Sequence, residues 1–383
     1  MKLLDGITVL DFSQYLAGPS CAMRLADLGA RVIKIERPET GDSGRKLCLE
    51  NLKIGNDSMN FLAINRGKES FCADMKDEND KKSLKKMIEK ADVMIENFRP
   101  GVMKKHGFDY ESVKKWNPGI IYATVTGYGK EGPWKNKPGQ DLLIQAMSGL
   151  AWLNGNGSEP PVPFGLSVVD SCAGTHMVQG ILAALFRRFR THKGGLVEVS
   201  LMESALDMQF EGITTYLSND KLPKRADYHN AHALLGAPYG IYQTSDGYIA
   251  LAMGSLKQLG KLLELPKLFD FNNEKDAFHK RDEIKKIIGE RIFQHSTKHW
   301  LQILEEGGYW CSNVLTWEEM MRTEAFQTLS FLQDFSFPNG KKMTTTCCPI
   351  SINGKRSTNG LRGPLLGEHT EKILKELYEG GDR

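Results

Sequence analysis

Residues 7–36 read ITVLDFSQYLAGPSCAMRLADLGARVIKIE, and the order of patterns within them decides the fold. Ile7 to Phe12 is a short apolar run of strand character. Ala17 to Leu28 carries Ala, Met and Leu at helical spacing, and Gly29 supplies a C-terminal stop. Arg31 to Glu36 is a second strand. The same rhythm continues outward. Lys76 to Lys90 reads as a charged amphipathic helix, followed by strands at Val93–Ile95 and Ile120–Val125. A long helix over Asp170–Arg190 precedes a strand at Val197–Val199 and a helix from Met202. Strands alternating with helices predict an α/β fold with a parallel, doubly wound sheet.

The chain has 383 residues, which is long for one hydrophobic core, so two domains are expected. Residues 1–217 form the large domain, completed by about 330–383; residues 218–329 hold a polar linker, Ser218 to Ala233, and a smaller α+β domain. The small domain contains strands at Tyr239–Gln243 and Tyr248–Ala252. Asn339-Gly340 signals a hairpin, and His369 to Tyr378 a last helix. A net charge of +3 with no long basic run argues against a nucleic-acid partner. Asp5 interrupts the first apolar residues, so no signal peptide is read, and apolar runs such as Gly180–Phe186 are far short of a membrane span. The expected location is the cytoplasm. Seven cysteines at spacings that fit no zinc pattern read as reduced thiols, and no metal is assigned.

Strand, loop, helix and a strand ending in Glu36 resembles a dinucleotide-binding unit, but the loop Ser13–Ser20 has one glycine where three are needed. A nicotinamide or flavin reading is therefore rejected. Arg37, Lys76, Arg99, Lys104 and Lys105 instead place cations near strand ends. They suit a ligand with several phosphates, although composition by itself favours a solvated charged rim. Asp170 is delivered by an apolar stretch to the start of the long helix. It reads as an N-cap, as a carboxylate nucleophile, or as both. Free N–H groups there would keep it ionised at neutral pH and stabilise an oxyanion. Asp141 reads as another helix cap, His176 as a packed residue, and His229 and His232 lie in the linker without metal-ligand spacing.

Leu4–Phe12, Ala17-Gly18-Pro19, Gly29–Glu36, Asn65-Arg66-Gly67-Lys68, Asp74-Met75-Lys76, Ala91–Gly101, Gly127-Tyr128-Gly129, Gln145–Gly149, the Asp170 segment and Gly363–Thr370 together resemble the family III CoA-transferases, which include the α-methylacyl-CoA racemases. The resemblance implies a Rossmann-like large domain, a smaller domain and an interlocked homodimer with its site between domains and subunits. It implies coenzyme A or acyl-CoA as substrate, no permanently bound cofactor, and a small carboxylic acid as the other partner. Asp170 falls on the family's catalytic aspartate. Leu16, Arg37, Ala73, Lys76, Asn97, Phe98, Arg99, Lys105, His106, Lys137 and Gln140 fall on coenzyme A positions, and Gln140, Gly254 and Ser255 on substrate positions. The racemases have Gly-His-Asp where this chain has Gly139-Gln140-Asp141, and glutamine does not exchange protons near neutral pH. Transferase is therefore expected over racemase or a non-catalytic CoA-binding protein. Leu16 replaces the glutamine of formyl-CoA transferases, and Met253-Gly254-Ser255-Leu256 replaces their glycine-rich loop. Both departures point away from formate and oxalate, toward a less polar acyl group.

Overall fold

A computed structural model describes residues 3–271 and 274–379; positions 1–2 and 380–383 of the large-domain span lie outside the described residues. Contacts divide the chain into two compact units. The first comprises Met1–Ile144, Ser167–Met208 and Ser330–Arg383, and the second Gln145–Leu166 and Gln209–Leu329.

The first unit is built on six parallel strands: β1 (Thr8–Asp11), β2 (Arg31–Glu36), β3 (Lys68–Cys72), β4 (Val93–Glu96), β5 (Ile121–Thr126) and β6 (Gly195–Ser200). Their spatial order is β3-β2-β1-β4-β5-β6. The order reverses between β1 and β4, and ligands of such sheets bind outside the carboxyl ends of the strands at that point. Helix α1 (Ala17–Asp27) connects β1 to β2, and α2 (Glu78–Lys90) connects β3 to β4. The short α3 (Val102–His106) follows β4, and α4 (Asp141–Met147) follows β5. The long α5 (Val168–Thr191) precedes β6 and α6 (Leu201–Asp207) follows it. Leu10, Ile33, Phe71, Leu84, Met94 and Tyr122 form one buried core, to which Ile373 of the C-terminal helix Thr370–Tyr378 returns.

Helix α5 as a whole is long and apolar enough to cross a membrane, which the stretch Gly180–Phe186 alone is not. In this fold it lies along the sheet, and Arg188 near its end pairs with Asp92 at 2.6 Å. At Gly174 it lies close against α1: a Cβ there would come within 2.8 Å of the Ala17 carbonyl oxygen.

The hairpin expected at Asn339-Gly340 joins strands Leu332–Ser336 and Lys342–Thr346. In the second unit, strands Gly240–Gln243, Tyr248–Leu251 and Cys311–Asn313 form an antiparallel sheet over a core of Tyr242, Ile249, Leu259, Ile288 and Trp300.

Candidate active site

The carboxyl ends of β1, β2, β3 and β4 open onto a cleft. Phe12 and Gln14 line it after β1, Arg37 after β2, Ala73 and Lys76 after β3, and Phe98 with His106 after β4. Arg37 and Lys76 are exposed cations, whereas Ala73 is buried. The cleft thus gathers five of the positions the family resemblance picked out. Asn97 serves the cleft indirectly: its side chain accepts from the Gln14 N–H at 2.8 Å and donates to the Gln14 carbonyl at 2.7 Å. Asp11 accepts from the Ser13 N–H at 3.0 Å, and Lys34 donates to the Ser13 carbonyl at 2.7 Å. The loop after β1 is therefore fixed by side chains from three strands or strand ends. Its single glycine has a packing reason, since a Cβ at Gly18 would collide with the Ser13 side chain. Leu16 stands at the cap of α1. Arg99, Lys104 and Lys105 are exposed and do not line the cleft.

Glu36 holds no ribose here. Arg45 grips both of its oxygens at 2.7 Å, Ser70 donates to one at 2.7 Å, and the Asp42 N–H donates to the other at 3.1 Å. Burial alone would raise this carboxyl, but the Arg45 bonds and the Lys34 and Arg45 charges hold it below the usual range.

Asp170 lies in the first turn of α5, and two expectations about it need correction. The helix starts two residues earlier, with Ser167 at the cap position and making no side-chain cap. Asp170 is therefore not the N-cap. The first-turn N–H groups of Val169 and Asp170 are also not free for an oxyanion: both donate to Asp141 Oδ2, at 2.8 and 3.0 Å. Asp141 is buried, with 7% of its surface exposed. It caps α5 from another segment of the chain, a role that its own helix position did not reveal. The charge state of Asp170 changes accordingly. Burial first, and the negative charge of Asp141 second, push it from 3.8 up to about 7. Near neutrality the carboxyl is poised between its two forms, instead of being held ionised by the helix end.

Asp141 is itself placed by a backbone contact. A Cβ at Gly127, after β5, would come within 2.6 Å of the Gly139 Cα, so the Lys137–Gln140 turn lies directly on the strand end. Lys137 and Gln140 are exposed on that turn. His176 donates to or accepts from Ser204 Oγ at 3.1 Å and lies 3.3 Å from Asp207, a packed histidine. Gly254 and Ser255 belong to the second unit, where Ser255 caps the helix Leu256–Leu262 by accepting from the Gln258 N–H at 3.2 Å. A Cβ at Gly254 would strike the Tyr309 ring.

A Rossmann-like sheet with a cleft at its switch point, lined by Arg37 and Lys76 together with Glu36, Asp42 and Asp74, and a half-buried aspartate on the helix packed against α1 agree with comparison to known proteins. Residues 4–370 match the family model of CoA-transferase family III, and the chain belongs to that family. Succinyl-CoA:glutarate CoA-transferase of Homo sapiens is 32% identical over 389 residues, covering 100% of this chain and 88% of that protein. Acetyl-CoA:oxalate CoA-transferase of Acetobacter aceti is 36% identical over 311 residues, covering 79% of this chain and 78% of that one. A crystal structure of a CAIB/BAIF family protein from Brucella suis superposes with a TM-score of 0.84 at 33% identity, covering 98% of this chain and 99% of that one.

Proposed function

We propose that the protein transfers coenzyme A from an acyl-CoA to a free carboxylic acid, with Asp170 as the covalent nucleophile. The observation that carries this reading is Asp170 itself: a half-buried carboxylate with no cation paired to it among the described residues, on a helix packed against the start of α1, the helix that follows the cleft-lining Gln14. An Asp170 oxygen attacks the thioester carbonyl carbon, the carbon–sulfur bond breaks, and CoA leaves as its thiolate. The thiolate then attacks the Asp170 side-chain carbonyl of the mixed anhydride, releasing the donor acid as a carboxylate. The acceptor carboxylate reverses this sequence, displacing the thiolate, which then takes the new acyl group and frees Asp170. Protons balance without an external acid: the CoA thiolate leaves as an anion that the next step consumes, and the donor acid and finally Asp170 leave as carboxylates.

Relatives named for succinate with glutarate or mesaconate cover 98% or more of this chain, which supports short dicarboxylic acids as the substrate class. Arg37 and Lys76 are read as holding phosphates of CoA, with Ala73, Phe98 and His106 forming the walls around it. Exposed Phe186, Phe189, Leu206 and Met208 on the first unit support a homodimer that covers them. Seven free cysteines support a reducing compartment such as the cytoplasm. Gln140 leaves a racemase without one of its two proton carriers.

The test is incubation with succinyl-CoA and hydroxylamine, followed by mass spectrometry. A hydroxamate at Asp170 is expected. Transfer that proceeds without modification of Asp170 overturns the covalent mechanism. A panel of succinate, glutarate, mesaconate, oxalate, formate and an aliphatic monocarboxylate then defines the acceptor.

A further inference from the structure

We propose that Asp141 is a positioning residue for the transfer reaction, whose carboxylate caps the helix carrying Asp170 and sets both the orientation and the acidity of that nucleophile. This inference rests on the reading of Asp170 as the nucleophile. The geometry is specific. One oxygen of Asp141 accepts from two consecutive first-turn N–H groups, and one of them belongs to Asp170 itself. The residue at the cap position, Ser167, makes no side-chain bond, so Asp141 supplies what the local sequence does not. The Gly127–Gly139 contact fixes the turn just before Asp141, which ties the acceptor to the end of β5.

The electrostatic consequence follows from the same contact. A buried negative charge beside a second carboxylate opposes ionisation of the second. Other charged groups lie on the elements packed against α5, but each is engaged elsewhere. Arg24 and Asp27 of α1 pair with each other, and Asp27 also with Arg66. Glu198 of β6 pairs with Lys130, Glu203 of α6 bonds Ser200, and Asp207 lies against His176. Among the described residues, Asp141 is the charged group that bears on Asp170. Two opposed effects thus meet in one side chain. It holds the nucleophile's backbone in place, and it keeps the nucleophile basic enough to attack a thioester near neutral pH.

Asp141→Asn separates the two effects, because an asparagine oxygen still accepts from both N–H groups but carries no charge. Adduct formation at Asp170 is followed in single turnovers with succinyl-CoA and hydroxylamine between pH 5 and 9. In the natural protein the acid limb should have its midpoint at about 7. In Asp141→Asn the midpoint should fall below that of the natural protein, and the plateau rate should drop because a less basic carboxylate is a weaker nucleophile. Asp141→Ala should lose the cap as well and label Asp170 more than about tenfold slower, with its KM for acyl-CoA little changed. A purely structural cap would leave the Asp141→Asn midpoint where it was, and that result overturns the proposal. If the natural protein transfers CoA but never labels Asp170, the nucleophile reading itself fails. Labelling in the natural protein with an unmoved Asp141→Asn profile sinks only the role of Asp141.

Discussion

Asp170→Asn should make the protein more stable and inactive at once, and the size of the gain can be worked from the site. Burial and Asp141 raise the Asp170 carboxyl from 3.8 to about 7. That gap corresponds to a preference for the neutral form of about 4 kcal/mol, at about 1.4 kcal/mol per pH unit. The sign follows from proton counting. Between pH 4 and 7 the folded protein binds a proton that the unfolded chain has already released, so stability falls as pH rises through that window. Above pH 7 the folded protein carries the full cost of a buried anion beside another anion. Asparagine carries none of it. Urea unfolding of both proteins at pH 4, 5, 6, 7 and 8 measures the difference. It should be near zero at pH 4 and grow to a gain of roughly 2–4 kcal/mol for Asp170→Asn at pH 8, with CoA transfer abolished. A difference that is flat with pH, or a variant less stable at pH 8, would refute the reasoning, because the carboxylate would then not be strained by its surroundings.

Further perturbations test the rest of the site. kcat/KM for transfer should rise roughly tenfold from pH 6 to pH 8 as Asp170 ionises, and a flat profile across that range argues against it as the attacking group. Gly174→Val should clash with the Ala17 carbonyl and displace α5 from α1, lowering both kcat and the unfolding midpoint; measured together, they should fall in parallel. Arg37→Ala and Lys76→Ala should each raise KM for acyl-CoA several-fold with kcat unchanged, and the effect should shrink in 0.5 M salt. Arg45→Ala leaves Glu36 buried without its partner and should cost about 3–5 kcal/mol in urea unfolding.

The main sheet was legible because its strands are apolar and its helices periodic; β2 was read to the residue at Arg31–Glu36. Strand β3 was not read, since Lys68-Glu69-Ser70-Phe71-Cys72 shows no apolar run. Its polar groups are buried with partners distant in sequence: Lys68 donates to Asp11 at 2.7 Å and to the Pro19 carbonyl at 2.9 Å. A propensity pattern prices a lysine as solvent-facing and does not register a carboxylate waiting two strands away. The same limit governs the candidate site. Asp170 was legible as an acidic residue at a helix start, but its true neighbour, Asp141, lies 29 residues earlier in the chain. Local spacing therefore suggested an ionised cap where folding builds a carboxylate pair. Glu36 resembled a ribose-binding residue for a similar reason, because Arg45 and Ser70 reach it only in the folded sheet.

On the proposed reading of Asp170 as the nucleophile, its crowding by Asp141 bears on how uphill the first covalent step is. A mixed anhydride in water is a high-energy species, and a carboxylate that enters it ordinarily gives up favourable hydration. Here the carboxylate has little hydration to lose and a repelling neighbour to escape, since acylation turns Asp170 into an uncharged group. If Asp170 is the acylated residue, the roughly 4 kcal/mol stored in its ionised form is released on acylation, shifting the acylation equilibrium by about a thousandfold toward the intermediate. The same release recurs when CoA occupies the side chain as a thioester. Free enzyme is then the spring-loaded state of the cycle, and both covalent states are the relaxed ones, which would let the enzyme run the exchange in either direction between acids of similar strength.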